Sequence, residues 1–132
     1  MTESPIAVVT AFVRAISRQD TDALADLMTP DHRFIDSLGN VVEGREKMRA
    51  GWTGYFRMVP DYTLAVEESY ADGPVVLLLG VAQGTYSADG TLKPENHWQI
   101  PVAIRAFVQN GKLTEWRVYA DNEPIRKLMR NP

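Results

Sequence analysis

The sequence has no cysteine, which removes disulfides, thiol chemistry and cysteine-based metal sites from consideration. Its two histidines, His32 and His97, form no His-x-x-x-His or carboxylate spacing, so no metal site is expected. Blocks of lysine and arginine are lacking, and a net charge of −3 argues against a nucleic-acid partner. No stretch reaches the ~18 consecutive apolar residues that mark a membrane span, so no membrane partner is expected. The opening MTESPIAVV has no basic segment leading into a long apolar run. No signal peptide is therefore expected, and a cytoplasmic location is the default. A glycine-rich dinucleotide fingerprint, a phosphate-binding loop and a Ser/His/Asp triad are all missing, and no cofactor is expected.

What is present is ordinary for a globular domain: 45% apolar and 23% charged residues in a chain of 132. That length suits one domain with a real core, and no linker or repeat divides residues 1–132. Ser4-Pro5 reads as a helix start, and Ile6, Val9, Phe12, Val13 and Ile16 follow at helical spacing. Asp20 or Thr21 caps a second, shorter helix that Pro30 is expected to end. The run HRFIDSLGNVVEG predicts a small hairpin around Gly39-Asn40. Met48, Trp52, Tyr55, Phe56 and Val59 return to the helical period, and Pro60 closes this third helix. Gly51 and Gly54 inside it are unfavourable for a helix. For Gly51 there are two explanations: a neighbouring element packs close there, or the missing side chain leaves room for a ligand.

After Pro60 the pattern is β to the end of the sheet region. Tyr62 to Tyr70 alternates, Ala71-Asp72-Gly73-Pro74 is a turn, and Val75 to Tyr86 is apolar at consecutive positions, as in a strand covered on both faces. Asn110-Gly111, set between HWQIPVAIRAFVQ and KLTEWRVYADNE, is the strongest hairpin signal in the chain. With those two as loop residues, Gln109 faces Lys112. Unbroken pairing then sets Ile104 against Arg117, Val102 against Tyr119 and Ile100 against Asp121. Alternation puts Trp98, Ile100, Val102 and Ile104 on one face with Arg117, Tyr119 and Asp121. Gln99, Ala103, Arg105 and Phe107 share the other with Trp116, Val118 and Ala120. On this register Asp121 is a lone carboxylate set against the most apolar face of the molecule. Residues Pro124 to Arg130 add a last short helix.

Three helices interrupted by a small hairpin, followed by long antiparallel strands, predict an α+β fold with helices on one face of a curved sheet. With that order the chain resembles the nuclear transport factor 2-like superfamily. This cone-shaped α+β roll is shared by ketosteroid isomerase, SnoaL-type polyketide cyclases and limonene-epoxide hydrolase. The resemblance rests on the helical opening, on Gly44-Arg45-Glu46 and Val59-Pro60-Asp61 bounding helix three, and on Gly111-Lys112-Leu113 leading to Trp116-Arg117-Val118-Tyr119-Ala120-Asp121. It implies a single domain in which three N-terminal helices and a mainly antiparallel sheet enclose a pocket. It also implies a homodimer through the convex sheet face.

Residue by residue, the resemblance implies that Asp121 is an acid/base aspartate on the last strand, as in the hydrolases and cyclases. It likewise sets Asp36 at the place of the isomerase general base. Phe12 stands where the isomerase carries a tyrosine donor, and the second isomerase carboxyl is replaced by Arg105 or a neighbour. The Arg-x-Asp and Tyr-x-Asn patterns of the hydrolases are not found at their places, and Arg18-Gln19-Asp20 falls at a helix junction.

Each candidate has a plainer reading beside it. In an apolar pocket Asp121 would be desolvated, its pKa raised toward the range of a useful general acid or base. As part of Asp121-Asn122-Glu123-Pro124 it is a turn and a helix cap. Asp36 precedes a turn, where aspartate is common for backbone reasons; two aspartates in one cavity would titrate as a coupled pair. Tyr119 could donate to an oxyanion or be a rim or core residue. His32 and His97 each begin a strand and read as surface or capping residues, with His97 a possible donor. Arg105 is expected to stack on Trp116 across the convex face. Phe12, Trp52, Tyr55, Phe56, His97, Trp98, Ile100 and Val102 are the candidate pocket wall, with core packing the alternative for the bulky aromatics. Two functions stay open: a cofactor-free isomerase, cyclase or hydrolase acting on a small apolar carbonyl compound, or a non-catalytic binding or dimeric interaction module.

Overall fold

Ser4 caps the first helix, its hydroxyl accepting the N–H of Ala7, and Pro5 occupies the first turn. The structure, a computed structural model, describes residues 4–130. Helix α1 (Pro5–Arg18) buries Val8, Val9, Phe12, Ala15 and Ile16 against the sheet. Gln19, left-handed at φ 55°, ends it, and the Asp20 carboxylate accepts the Ala23 N–H to start α2 (Thr21–Asp26). The remaining elements are β1 (Met28–Ile35), β2 (Val41–Glu43), α3 (Arg45–Met58), β3 (Thr63–Asp72), β4 (Val75–Thr85), β5 (His97–Gln109), β6 (Lys112–Ala120) and α4 (Glu123–Arg130). Pro30 does not end α2 as expected: the helix stops at Asp26 and Pro30 lies within β1. The chain is drawn into the sheet first, because Leu27 already accepts the N–H of Leu113 at 2.7 Å.

The six strands form one curled, unclosed sheet in the order β2-β1-β6-β5-β4-β3. All pairs are antiparallel except β1 with β6. The molecule is therefore α+β, with α1–α3 covering the concave face of a mainly antiparallel sheet. The core between them is strongly aromatic: Phe12, Trp52, Phe56, Trp98 and Trp116 are all buried.

One irregularity corrects the expected register. The hairpin loop is as read, with Asn110 and Gly111 both at positive φ and Gln109 opposite Lys112. The ladder then slips: Val108 faces Leu113, but Phe107 faces Glu115, leaving Thr114 as an extra residue in β6. Beyond the bulge Ile104 faces Val118 rather than Arg117, and Val102 faces Ala120 rather than Tyr119. A side chain changes face with every residue, so the slip reverses the whole outer half of β6. Trp116, Val118 and Ala120 point inward, while Arg117 and Tyr119 point out. Arg105 accordingly sits opposite Arg117, not Trp116; it pairs with Glu115 at 3.4 Å and lies 5.7 Å over the Phe107 ring.

His32 is a second correction, since it is fully buried rather than on the surface. Its Nδ1 lies 2.8 Å from the Leu113 carbonyl oxygen, and a carbonyl only accepts, so Nδ1 carries the proton. Nε2 is buried with no partner. Burial holds the imidazole pKa below its ordinary value, against weaker upward pulls from the Leu113 hydrogen bond and from Glu115 and Asp31.

Close strand approach explains one glycine and leaves another free. A Cβ on Gly80 would stand 2.1 Å from the Ala65 carbonyl oxygen, where β3 is irregular, whereas one on Gly54 would meet nothing within 4 Å. Gly80→Ala is expected to cost at least about 1–3 kcal/mol through overpacking. Gly54→Ala should gain up to about 1 kcal/mol through helix propensity. Urea unfolding of the two variants checks both signs. His32 supplies a pH test. The unfolded chain protonates this histidine at its ordinary pKa while the fold resists, so its contribution is complete above that value and falls as pH drops below it. Between about pH 7 and pH 5 the wild type should lose stability, and His32→Leu should show a shallower slope in the same window.

Candidate functional site

The concave side of the sheet and α3 do not close completely on each other; a cavity of about 270 Å³ remains between them. That is near the lower end of small-molecule sites, roughly 300–1,000 Å³. Helix α3 presents Met48, Gly51, Trp52 and Tyr55 to it, the stripe generated by three- and four-residue spacing. The sheet presents Trp98, Ile100, Val102 and Ile104 from β5, with Trp116, Val118 and Ala120 from β6. Gly51 resolves the choice left by its position in a helix. An added Cβ would meet only the Met48 side chain, at 3.7 Å, so no element packs against it; Gly51 is exposed and leaves room at the edge of the cavity.

The segment joining α3 to β3 brings Tyr62 into the wall. It is fixed from three sides. Asp61 accepts the Thr85 N–H at 2.6 Å and the Thr85 hydroxyl at 2.8 Å, and Gln19 donates its side-chain amide to the Pro60 carbonyl. Val59 presses so close to β4 that a Cβ on Gly84 would lie 2.3 Å from it. The aromatic rings then form a continuous arc: Trp52 to Tyr55 at 6.3 Å, Tyr55 to Tyr62 at 5.1 Å, Tyr62 to Trp98 at 6.0 Å. The first two contacts are edge-to-face, the favoured aromatic geometry.

Polar groups gather at the other end, where Asp36 and Ser37 follow β1 and Asn122 precedes α4. Asn122 donates its amide to the Ser37 hydroxyl at 2.8 Å, tying two parts of the wall that are 85 positions apart. Among the described residues Asp36 is the lone charged one in the wall, and no lysine, arginine or histidine lines it. Desolvation pulls its pKa upward, but hydrogen bonds from the Asn40 backbone and side chain and from the Leu38 and Gly39 backbones together win and lower it. It therefore stays ionised, with Oδ1 accepting from Leu38 and Asn40 at 2.9 Å and Oδ2 from the Asn40 amide at 3.1 Å. Those bonds are the business of a turn, and they weaken it as a base. The tyrosines move the other way. Desolvation raises the Tyr62 hydroxyl to about 12 and pushes Tyr55 higher still, so both remain neutral.

Of the residues singled out from the sequence, Trp52, Tyr55, Trp98, Ile100, Val102 and Asp36 meet at this cavity. Asp121 does not. It is exposed, and its carboxylate accepts the N–H of Glu123 at 3.0 Å, the first residue of α4, which is the turn-and-cap geometry. Tyr119 is outside as well, 44% exposed under the Arg117 guanidinium at 4.9 Å. The cause for both is the bulge at Thr114. Phe12 and Phe56 lie one layer back, packed on Trp52 at 6.3 and 5.5 Å. His97 is exposed with Nδ1 3.3 Å from the Thr85 hydroxyl. Tyr62, Ser37 and Asn122 were not foreseen. Tyr62 could have been found from the alternation that begins there; the Ser37–Asn122 contact leaves no trace in local pattern. Among the described residues no group of three or more histidines and carboxylates is placed to hold a metal. None of the helices is long and apolar enough to cross a membrane.

Comparison with solved structures returns the same architecture. A protein described as a SnoaL-like polyketide cyclase from Shewanella denitrificans superposes with a TM-score of 0.82 at 15% identity, over 97% of this chain and 98% of its own. A Catenulispora acidiphila protein with a ketosteroid isomerase-like fold, in complex with trimethylamine, gives 0.78 at 20% identity, over 95% and 91%. An LEH-like epoxide hydrolase from M. tuberculosis gives 0.77 at 21% identity, over 93% and 82%. At these identities the likeness is one of fold. No curated protein sequence matches the chain. The model of the SnoaL-like domain matches residues 9–116, most of the helical layer and all of the sheet as far as Trp116. By that match, and by the architecture that agrees with it, the chain belongs to the SnoaL-like domain family.

Proposed function

We propose that the protein binds a small, neutral, largely apolar molecule, such as a carbonyl compound, in the cavity between α3 and the sheet. The observation that carries this reading is the wall itself: mostly hydrocarbon and aromatic surface, with Ser37 and Asn122 at one rim and, among the described residues, charge confined to one carboxylate, Asp36. A ligand carrying its own ionised carboxylate would find no cation to meet it there. Any isomerase-, cyclase- or hydrolase-type proton transfer in this cavity would run through Asp36. The descriptions of structural neighbours as a polyketide cyclase and an epoxide hydrolase support the small-molecule reading. Binding without chemistry is the second reading, and it too has an observation behind it: both Asp36 oxygens are already held by the turn.

The outer sheet face supports a homodimer as part of the same proposal. Tyr70, Leu77 and Tyr119 are exposed there, with Leu79 and Ala103 beside them and Arg105 and Arg117 on the same face. Sedimentation velocity should give a dimer for the wild type and a monomer for Leu79→Asp; a monomeric wild type removes this part of the proposal.

Two measurements separate the readings of the cavity. Gly51→Leu should keep or raise the melting temperature, since leucine is the better helix former. It should also weaken binding of small ketones, read by tryptophan fluorescence, at least about tenfold by filling the space. Wild type and Asp36→Asn are then compared on a panel of enolisable ketones and epoxides. Loss of a general base should lower turnover by roughly 10²- to 10⁴-fold. Equal rates in the two proteins would take Asp36 out of any chemistry and leave binding alone.

A further inference from the structure

The cavity needs something to orient a ligand, and its wall offers few donors. The indole N–H groups of Trp52 and Trp98 are buried and without an acceptor. Asn122 donates to the Ser37 hydroxyl, a bond that uses one amide hydrogen and leaves the Ser37 O–H at that rim. Asp36, ionised, only accepts. The hydroxyls of Tyr55 and Tyr62 are the donors of the aromatic arc, and neither has a hydrogen-bond partner among the described residues. Their rings meet edge-to-face at 5.1 Å, interplanar angle 86°, and each is held from behind by a tryptophan, Trp52 on one side and Trp98 on the other.

Resting on the binding reading above, we infer that the Tyr55 and Tyr62 hydroxyls form a two-donor site that holds an acceptor oxygen of the ligand and sets its orientation. The ligand class follows from what the pair offers. Two neutral O–H donors in an apolar wall favour a carbonyl oxygen, with two lone pairs, over a hydrocarbon of the same shape, because the hydrocarbon leaves both hydroxyls unpaired. Positioning is built in before the ligand arrives. Tyr55 sits on a helix whose neighbouring turn carries Trp52, and Tyr62 sits on a segment clamped by the Asp61–Thr85 pair and the Gln19–Pro60 bond. Little ordering of the side chains is left to be done on binding. Neither tyrosine lies on the first helix, where the resemblance to ketosteroid isomerase had placed a donor.

The test uses the full chain and two probes of one skeleton, α-tetralone and its hydrocarbon counterpart tetralin. Affinity is measured by tryptophan fluorescence and calorimetry. Wild type should bind tetralone more tightly than tetralin, by roughly two- to tenfold for each hydrogen bond gained. Tyr55→Phe and Tyr62→Phe keep the rings and should each reduce that preference, and the double variant should abolish it while tetralin binding holds or improves. The carbonyl stretch of bound tetralone gives a readout that packing alone would not move. It should shift down in the wild type and return toward its value in alkane solvent in the double variant. Equal affinity of wild type for the two probes overturns the two-donor site and leaves the apolar binding reading standing. A preference that survives in the double variant assigns the oxygen to other groups and overturns the inference. Failure of both probes to bind overturns the reading and the inference together. Should the phenylalanine variants not fold, the wild-type affinity ratio and carbonyl shift still decide.

Discussion

A β-strand has a period of two, so one extra residue in it reverses the orientation of everything that follows. In this protein that residue is Thr114. Before it, Leu113 packs into the core and offers its backbone to Leu27 and His32; after it, Trp116 takes the inward position that Glu115 would otherwise hold. The cavity depends on this slip. Without it a guanidinium, a phenol and a carboxylate would face the hydrocarbon of β5, and the desolvation cost of two charges would fall on the core. With it, Val118 and Ala120 complete an apolar wall, and the charged set lies on the outer face beside Glu115 and Arg105.

Most of the architecture was legible because it is written in local signals. Ser4-Pro5, the Asp20 cap, the left-handed Asn110-Gly111 loop and the helical stripe of α3 each carry their own geometry. The family resemblance added the closure of helices over the sheet. The candidate site was legible in half. Trp98, Ile100 and Val102 of β5 and Trp52 and Tyr55 of α3 meet at the cavity as helical and strand periods dictate, whereas Phe56 packs behind Trp52 and His97 stays exposed. The β6 contribution was inverted because a bulge is a tertiary compromise: no residue between Lys112 and Trp116 is a glycine or otherwise marks the irregularity. Asp121 shows the consequence, since its position relative to the Asn-Gly turn was right and its face was wrong. Gly80 and Gly84 likewise owe their identity to Ala65 and Val59, partners that no pattern within their own strand reveals.

The chemistry of the interior is set by charge more than by shape. A cavity that, among the described residues, has no basic group and a single, already occupied carboxylate is a poor host for ions, and the raised tyrosine pKa values keep its phenols neutral. Domains of this architecture include proteins described as cyclases, hydrolases and hydroxylases. The fold therefore restricts where a ligand sits without saying what happens to it. In this chain the wall is held tightly beside Tyr62, where Asp61 accepts twice from Thr85, and lightly at the rim that one Ser37–Asn122 bond joins.

The parallel pairing of β1 with β6 has a bearing on how the chain reaches this state. β6 is the last strand in sequence and lies between β1 and β5 in the sheet, and the His32–Leu113 contact joins positions 81 apart. During synthesis the meander β3–β4–β5 can zip as soon as it leaves the ribosome, but β1 has no neighbour except short β2 until the final hairpin emerges. The N-terminal third must then wait with an open edge and a lone imidazole that nothing yet shields. Closure of that long loop, rather than formation of any hairpin, is the slow event the topology imposes, and the waiting edge is where a nascent chain is open to aggregation.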